Sequence, residues 1–156
     1  VLAAFEATDV EALDGTGYVI AKGEGNALTA CSWMHKKWPH IAPENKALLR
    51  VYIGSAFVRD LLTESDDTIA DFALRELRKI QHVGTPIFTR VERHVDTMPQ
   101  YEVGHKQYVR AFEETMSSLD GVEACGAILH GVGLPDCVDS AKQAVTRIMA
   151  RQAVSV

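Results

Sequence analysis

The chain has 156 residues, 47% of them hydrophobic and 24% charged, with a formal net charge of −5 at pH 7. That is enough apolar chain for a real hydrophobic core, and the balance excludes chain-wide disorder. The acidic balance speaks against a nucleic-acid surface, and no apolar run approaches the ~20 residues of a transmembrane segment.

No charged-then-apolar signal segment is read at the start. Cys31, Cys125 and Cys137 are odd in number and without close pairing, which fits reduced thiols and a cytoplasmic location. The chain opens without methionine on VLAAFEATDV, an apolar run that reads as a strand already under way, so a piece of a longer protein is expected.

In chain order, TGYVIAK (16–22), NALTACSW (26–33) and KALLRVYI (46–53) read as short strands. GEGN and PHIAPENK lie between them as turn material, so a meander is expected, with a hairpin at 23–26. From Glu64 the period changes. Ile69, Phe72, Ala73, Leu77 and Ile80 fall at three- and four-residue steps behind a Ser/Asp start that can cap a helix. Gly84 and Pro86 end it, and PIFTRVERHV (86–95) then alternates as a strand. HKQYVRAFEETMSSL (105–119) carries an apolar helical stripe of Val109, Phe112, Met116 and Leu119. VEACGAIL (122–129) reads as a buried strand and PDCVDSAKQAVTRIMARQ (135–152) as the last helix. The fold class expected is a mixed α/β chain of the α+β kind, without repeats.

Three stretches gather groups that could carry chemistry. HGVGLP (130–135) is a glycine turn ahead of a helix, where the amides of Gly131, Val132, Gly133 and Leu134 can face an anionic or carbonyl-rich ligand. Asp136 is placed to cap that helix, and Asp139 completes a box-like pattern. A tight, well-capped turn without a ligand is the plainer reading. CSWMHKKWPH (31–40) offers Cys31, His35 and His40 to a zinc ion, but lacks a second close ligand pair. The alternative is a strand end running into a proline-anchored loop, with Trp33 and Trp38 half buried. RVERHVDTMPQYEVGHKQY (90–108) mixes Arg90, Arg93, His94, Tyr101 and His105, and no nucleophile–base–acid set can be read in it. Catalytic residues stay unassigned.

GTGYVIAK followed by TACSWMHKKWPH, then MPQYEVGHK, then GVGLPDCVDSAKQAV resembles the C-terminal third of the bacterial oxygen-dependent protoporphyrinogen/coproporphyrinogen oxidases, over nearly the whole chain. The resemblance implies an amine-oxidase-like flavoprotein of haem synthesis. In that family, bound FAD strips hydrogens from a porphyrinogen, and dioxygen accepts the electrons to give hydrogen peroxide. It implies that 1–120 is a portion of a substrate domain, built on a mixed sheet with a covering helix. It implies that 121–156 is the C-terminal strand, turn and helix of a Rossmann-like FAD domain. The turn residues Gly131, Val132, Gly133, Leu134 and Pro135 would then lie against the flavin, where a bare backbone suits close approach. His94 stands where the family carries a flavin-facing tryptophan, and His130 where an acidic residue is common.

The family's dinucleotide fingerprint is not in this sequence. The chain by itself is therefore expected to bind FAD weakly or not at all and to show no turnover, with a missing N-terminal half or a second copy completing the site. Substrate carboxylates would want basic partners, and Lys36, Lys37, Arg50, Arg90 and Arg93 are the candidates. The competing reading is a non-catalytic interaction module, or a porphyrin-binding module using His35, that keeps half of the fold. Peripheral attachment to a membrane stays open, as does the choice between coproporphyrinogen and protoporphyrinogen.

Overall fold

A computed structural model describes residues 1–21, 23–54 and 59–154, with side chains as far as Arg151. Lys22, the last residue of the first expected strand, lies outside the described residues. The chain divides into two compact units, Val1–Arg93 and His94–Val156. This boundary of compactness falls before the change of domain that the resemblance places at 120/121.

The first unit is built on a five-stranded sheet of order β2-β3-β4-β1-β5. Its strands are β1 (Leu2–Glu6), β2 (Gly17–Val19), β3 (Leu28–Trp33), β4 (Lys46–Ile53) and β5 (Phe88–Arg90). β2, β3 and β4 form the expected meander. All four pairings are antiparallel, so this portion of sheet is not mixed. The strand expected over 86–95 shortens to Phe88–Arg90, because only Leu2, Ala3 and Ala4 of β1 pair with it. The hairpin at 23–26 turns on Gly23 and Gly25, both at positive φ, and closes where the Leu28 N–H donates to Asn26 Oδ1 at 2.8 Å.

The sheet has one dry face. Along β4, Ala47, Leu49 and Val51 are buried while Leu48 and Arg50 are half-buried and Tyr52 is exposed, the two-residue alternation of a strand covered on one side. Ala3, Phe5, Leu28, Cys31, Trp33, Ala47, Leu49 and Val51 join Ala73, Leu74 and Leu77 in one cluster. The last three come from α2 (Asp66–Leu77), whose apolar stripe closes the core. Burying a large apolar side chain such as Phe5, Leu49 or Leu77 stabilises the fold by roughly 1.5–3 kcal/mol. Ser65 caps α2, its Oγ accepting the Thr68 N–H at 3.2 Å, as the Ser/Asp start predicts.

Between β3 and β4 the chain makes a helical turn that the sequence reading lacks, α1 (Met34–Lys37), and then a 3-10 turn over Pro39–Ile41. Neither tryptophan is half buried as expected, strictly speaking. Trp33 is a core residue whose indole N–H donates to buried Gln81 Oε1 at 3.2 Å, and Trp38 is exposed.

The second unit contains α3 (His105–Ser117) and α4 (Leu134–Val154), with Val109, Leu129, Ser140 and Ala144 buried. The strand expected over 122–129 is not formed: the segment is a loop with turns. A strand is a relation between neighbours, and no strand among the described residues of this unit offers it a ladder. Its backbone groups find side chains instead.

Candidate functional site

The candidate site is the glycine turn at the start of α4 and the loop that leads to it. Gly133 is the last residue before the helix, and its carbonyl accepts the Cys137 N–H at 3.0 Å. Asp136 therefore sits at the third helical position rather than capping from outside, as its place in the sequence suggests. Its Oδ2 reaches back to the Gly133 N–H at 3.3 Å, the return half of a capping box. The Cys137 thiol lies over the Gly131 carbonyl at 3.8 Å. No cap contact of Asp139 is found among the described residues.

That geometry answers why two glycines stand here. Neither Gly131 nor Gly133 has a positive φ. A Cβ on Gly131 would lie 2.5 Å from Asp136 Oδ2, and one on Gly133 would lie 2.8 Å from it. Close approach, rather than backbone conformation, demands glycine. The helix N-terminus carries an anion of its own chain, and Val132 and Leu134 turn outward, 51% and 83% exposed.

The preceding loop is fastened by groups from α3, α4 and the MPQYEVGH stretch. The Gly126 N–H donates to the hydroxyl of buried Ser140 at 3.0 Å. The Tyr101 hydroxyl donates to the Ala127 carbonyl, and His105 Nε2 lies 3.2 Å from the Leu129 carbonyl. The Tyr101 and His105 rings stack at 4.3 Å. His130 Nε2 meets Glu113 Oε1 at 2.8 Å. At the far end, Arg147 Nε holds Glu123 Oε2 at 2.9 Å, and Arg151 pairs with the same carboxylate. Glu123, Gly126, Ala127 and Leu129, in the segment 122–129 where a sheet ladder was expected, are thus held by side chains.

The other candidates separate. His94 is exposed in the loop after β5, and no hydrogen bond joins it to the turn among the described residues. Cys31, His35 and His40 do not assemble a zinc site. Cys31 lies in the apolar cluster, His35 Nδ1 is 3.2 Å from both the amide nitrogen and the carbonyl oxygen of Leu48, and His40 is exposed. No group of three His, Cys, Asp or Glu could hold a metal ion among the described residues.

Of the five cations, Arg93 is structural: it donates to the carbonyls of Leu62 and Glu64 and pairs with Asp66 at 2.6 Å, tying down the approach to α2. Lys36 donates to the Leu13 carbonyl, and Lys37 lies 4.8 Å from the Trp38 ring centre. Arg90 pairs with Glu92, and Arg50 stacks on Tyr52. The latch groups Ser140 and Glu113 went unremarked in the sequence, since a serine or glutamate on a helix gives no signal of a partner so far along the chain.

Among the described residues, no helix is long and apolar enough to cross a membrane. The sequence profile of flavin-containing amine oxidoreductases matches residues 10–149. The chain is 45% identical over 135 residues to a coproporphyrinogen III oxidase of Bacillus subtilis (strain 168), covering 85% of this chain and 29% of that protein. It is 37% identical over 153 residues to a coproporphyrinogen III oxidase of Staphylococcus aureus, covering 96% of this chain and 33% of that protein. A solved structure named for a protoporphyrinogen oxidase of Exiguobacterium sp. 255-15 superposes with a TM-score of 0.79 at 31% identity, over 96% of this chain and 34% of the other. The chain therefore spans about a third of the length of the relatives it matches. With the profile match running through both units, the chain belongs to the family of flavin-containing amine oxidoreductases.

Proposed function

We propose that this chain is part of an FAD-dependent porphyrinogen oxidase of haem synthesis that takes coproporphyrinogen III as substrate and dioxygen as acceptor. The observation that carries the reading is the 45% identity to a coproporphyrinogen III oxidase, sustained over 135 residues and 85% of this chain. Residues 1–120 contribute to the substrate domain and 121–156 to the flavin domain in this reading. Since the chain covers about a third of such proteins, the activity proposed is that of the whole protein.

The turn suits a flavin in a particular way. Its backbone is bare at Gly131 and Gly133, and the first N–H groups of α4 have no acceptors within the helix. Asp136 supplies a negative charge at the same place, which opposes a diphosphate and favours the neutral, carbonyl-bearing part of the cofactor. Val132, Leu134 and Pro135 would then hold the ring and ribityl side, with His94 a further candidate wall. The chemistry supplied by bound FAD is dehydrogenation of the substrate, with dioxygen taking up the electrons. The chain's own groups position: Tyr101, His105, Ser140 and Glu113 hold the loop, and the turn keeps bulk away from the cofactor.

The test is a visible absorption spectrum after incubation with FAD and desalting, followed by the rate of porphyrin formation from coproporphyrinogen III. The whole protein should keep its flavin and form coproporphyrin, whereas the 156-residue chain alone should keep little. A flavin-free whole protein that leaves coproporphyrinogen III unchanged would falsify the reading and favour the interaction-module alternative.

A further inference from the structure

The sheet of the first unit has a second face, opposite α2, and its central row can be read from the register. Gly17 opposes Ser32, Ser32 opposes Arg50, Arg50 opposes Leu2, and Leu2 opposes Arg90. Directly opposed residues project from the same side of a sheet. The row thus sets two guanidinium groups on one face, with β1 between them and their Cα atoms two strand spacings, roughly 10 Å, apart.

The ground around them is apolar and aromatic. Ala4, Leu48 and Phe88 form the next row on one side, and Val19, Ala30 and Tyr52 the row on the other. Tyr52, Phe88 and Val19 are exposed. The Arg50 guanidinium rests 5.0 Å from the Tyr52 ring centre, which orients its plane and leaves its N–H fork to meet an acceptor. Among the described residues no carboxylate pairs with Arg50. Arg90 pairs with Glu92 at 2.5 Å, but both side chains are at least half exposed, and a pair in that setting is weak enough to yield to a second carboxylate.

We propose that this face binds the tetrapyrrole itself, with Arg50 and Arg90 each taking one propionate and the ring lying over the apolar rows beside Tyr52 and Phe88. The proposal rests on the porphyrinogen reading above and selects two of the five basic candidates. Charge complementarity commits it to that occupant. Two separated cations on an apolar floor match separated carboxylates around an apolar macrocycle.

The test titrates the full chain with coproporphyrin III, the stable oxidised form, followed by its fluorescence, and repeats the titration with its uncharged tetramethyl ester. R50Q and R90Q should each weaken coproporphyrin binding by about tenfold, the double variant by more, and ester binding should not change. E92Q, which releases Arg90, should tighten coproporphyrin binding. Equal affinity in the parent and the R50Q/R90Q chain would overturn the site and leave the enzyme reading standing, as would an E92Q chain that binds no tighter. A parent chain that binds no porphyrin also overturns the site, and the flavin measurement then decides separately on the enzyme reading. Should the double variant misfold by circular dichroism, the E92Q result decides alone.

Discussion

Replacing Gly131 by alanine tests the account of the glycine turn at its most specific point. The new methyl would lie 2.5 Å from Oδ2, 2.7 Å from Cγ and 2.8 Å from Cβ of Asp136. Turning the aspartate side chain away relieves the first two contacts, at the expense of the bond to the Gly133 N–H. The third contact is with an atom fixed to the helix, so the backbone must also give. Losing the cap costs about 1 kcal/mol and the residual crowding about the same again, so Gly131→Ala should destabilise the second unit by about 2 kcal/mol. In thermal unfolding followed by circular dichroism, that corresponds to a midpoint lower by roughly 4–16 °C, the upper end applying if the unit melts alone.

The same change in an Asp136→Gly background removes all three opposing atoms. There, Gly131→Ala should cost less than about 0.5 kcal/mol, because the position needs no positive φ and alanine restricts the unfolded chain. The coupling energy of the cycle should therefore approach about 1.5 kcal/mol. An equal cost in both backgrounds would show that glycine is needed for something other than the approach of Asp136.

Three further outcomes are expected. Burial pushes the Cys31 thiol up to about 12 from an ordinary 9.0, so the native thiol stays protonated where the unfolded one ionises. Its stabilising contribution is fully present below about pH 9 and is lost as pH rises toward 12; Tyr18, also raised chiefly by burial, acts in the same direction. Denaturant titrations between about pH 8 and pH 11 should show this loss, and Cys31→Ala should flatten it; an identical slope in both proteins would rule the thiol out. Ser65→Ala removes the acceptor of the Thr68 N–H and should cost about 1 kcal/mol by the same titration, with Ser65→Asp close to neutral. Tyr101→Phe removes the bond to the Ala127 carbonyl, so amide hydrogen exchange should quicken over 126–130 while α2 is unaffected. Unchanged exchange there would show that the loop stands without this latch.

Features that depend on near neighbours in sequence were legible. The three- and four-residue steps of Ile69, Ala73 and Leu77 gave α2, and Ser65 marked its start. The β-prone run at 46–53 gave β4 its full extent, and the glycines at 23 and 25 marked the hairpin. The resemblance carried further than any of these, since it implied an amine-oxidase-like flavoprotein and the profile of flavin-containing amine oxidoreductases matches residues 10–149.

Features that depend on a distant partner were not legible. VEACGAIL has the composition of a buried strand, yet strandedness needs a ladder, and composition does not say where one is. Asp136 looked like a cap, and whether it caps from outside or from within the first turn is decided by one residue of helix start. Arg93 looked like Arg50 and Arg90 in the sequence. Only the fold shows that its fork closes on Leu62, Glu64 and Asp66 while the other two share a row.

The order of the sheet also bears on how the first unit comes to be folded. β2 and β3 each pair with their immediate successor, so the β2-β3-β4 meander can zip from local turns, which is fast. β1 cannot, for its two edges meet Arg50 on one side and Arg90 on the other, so it must wait for chain made much later. β1, which precedes both of its partners in the chain, is then the keystone set last, and until it is set, β4 presents an open edge of the kind that invites pairing between chains. Refolding at high protein concentration should lose material during that interval, whereas dilution should spare it.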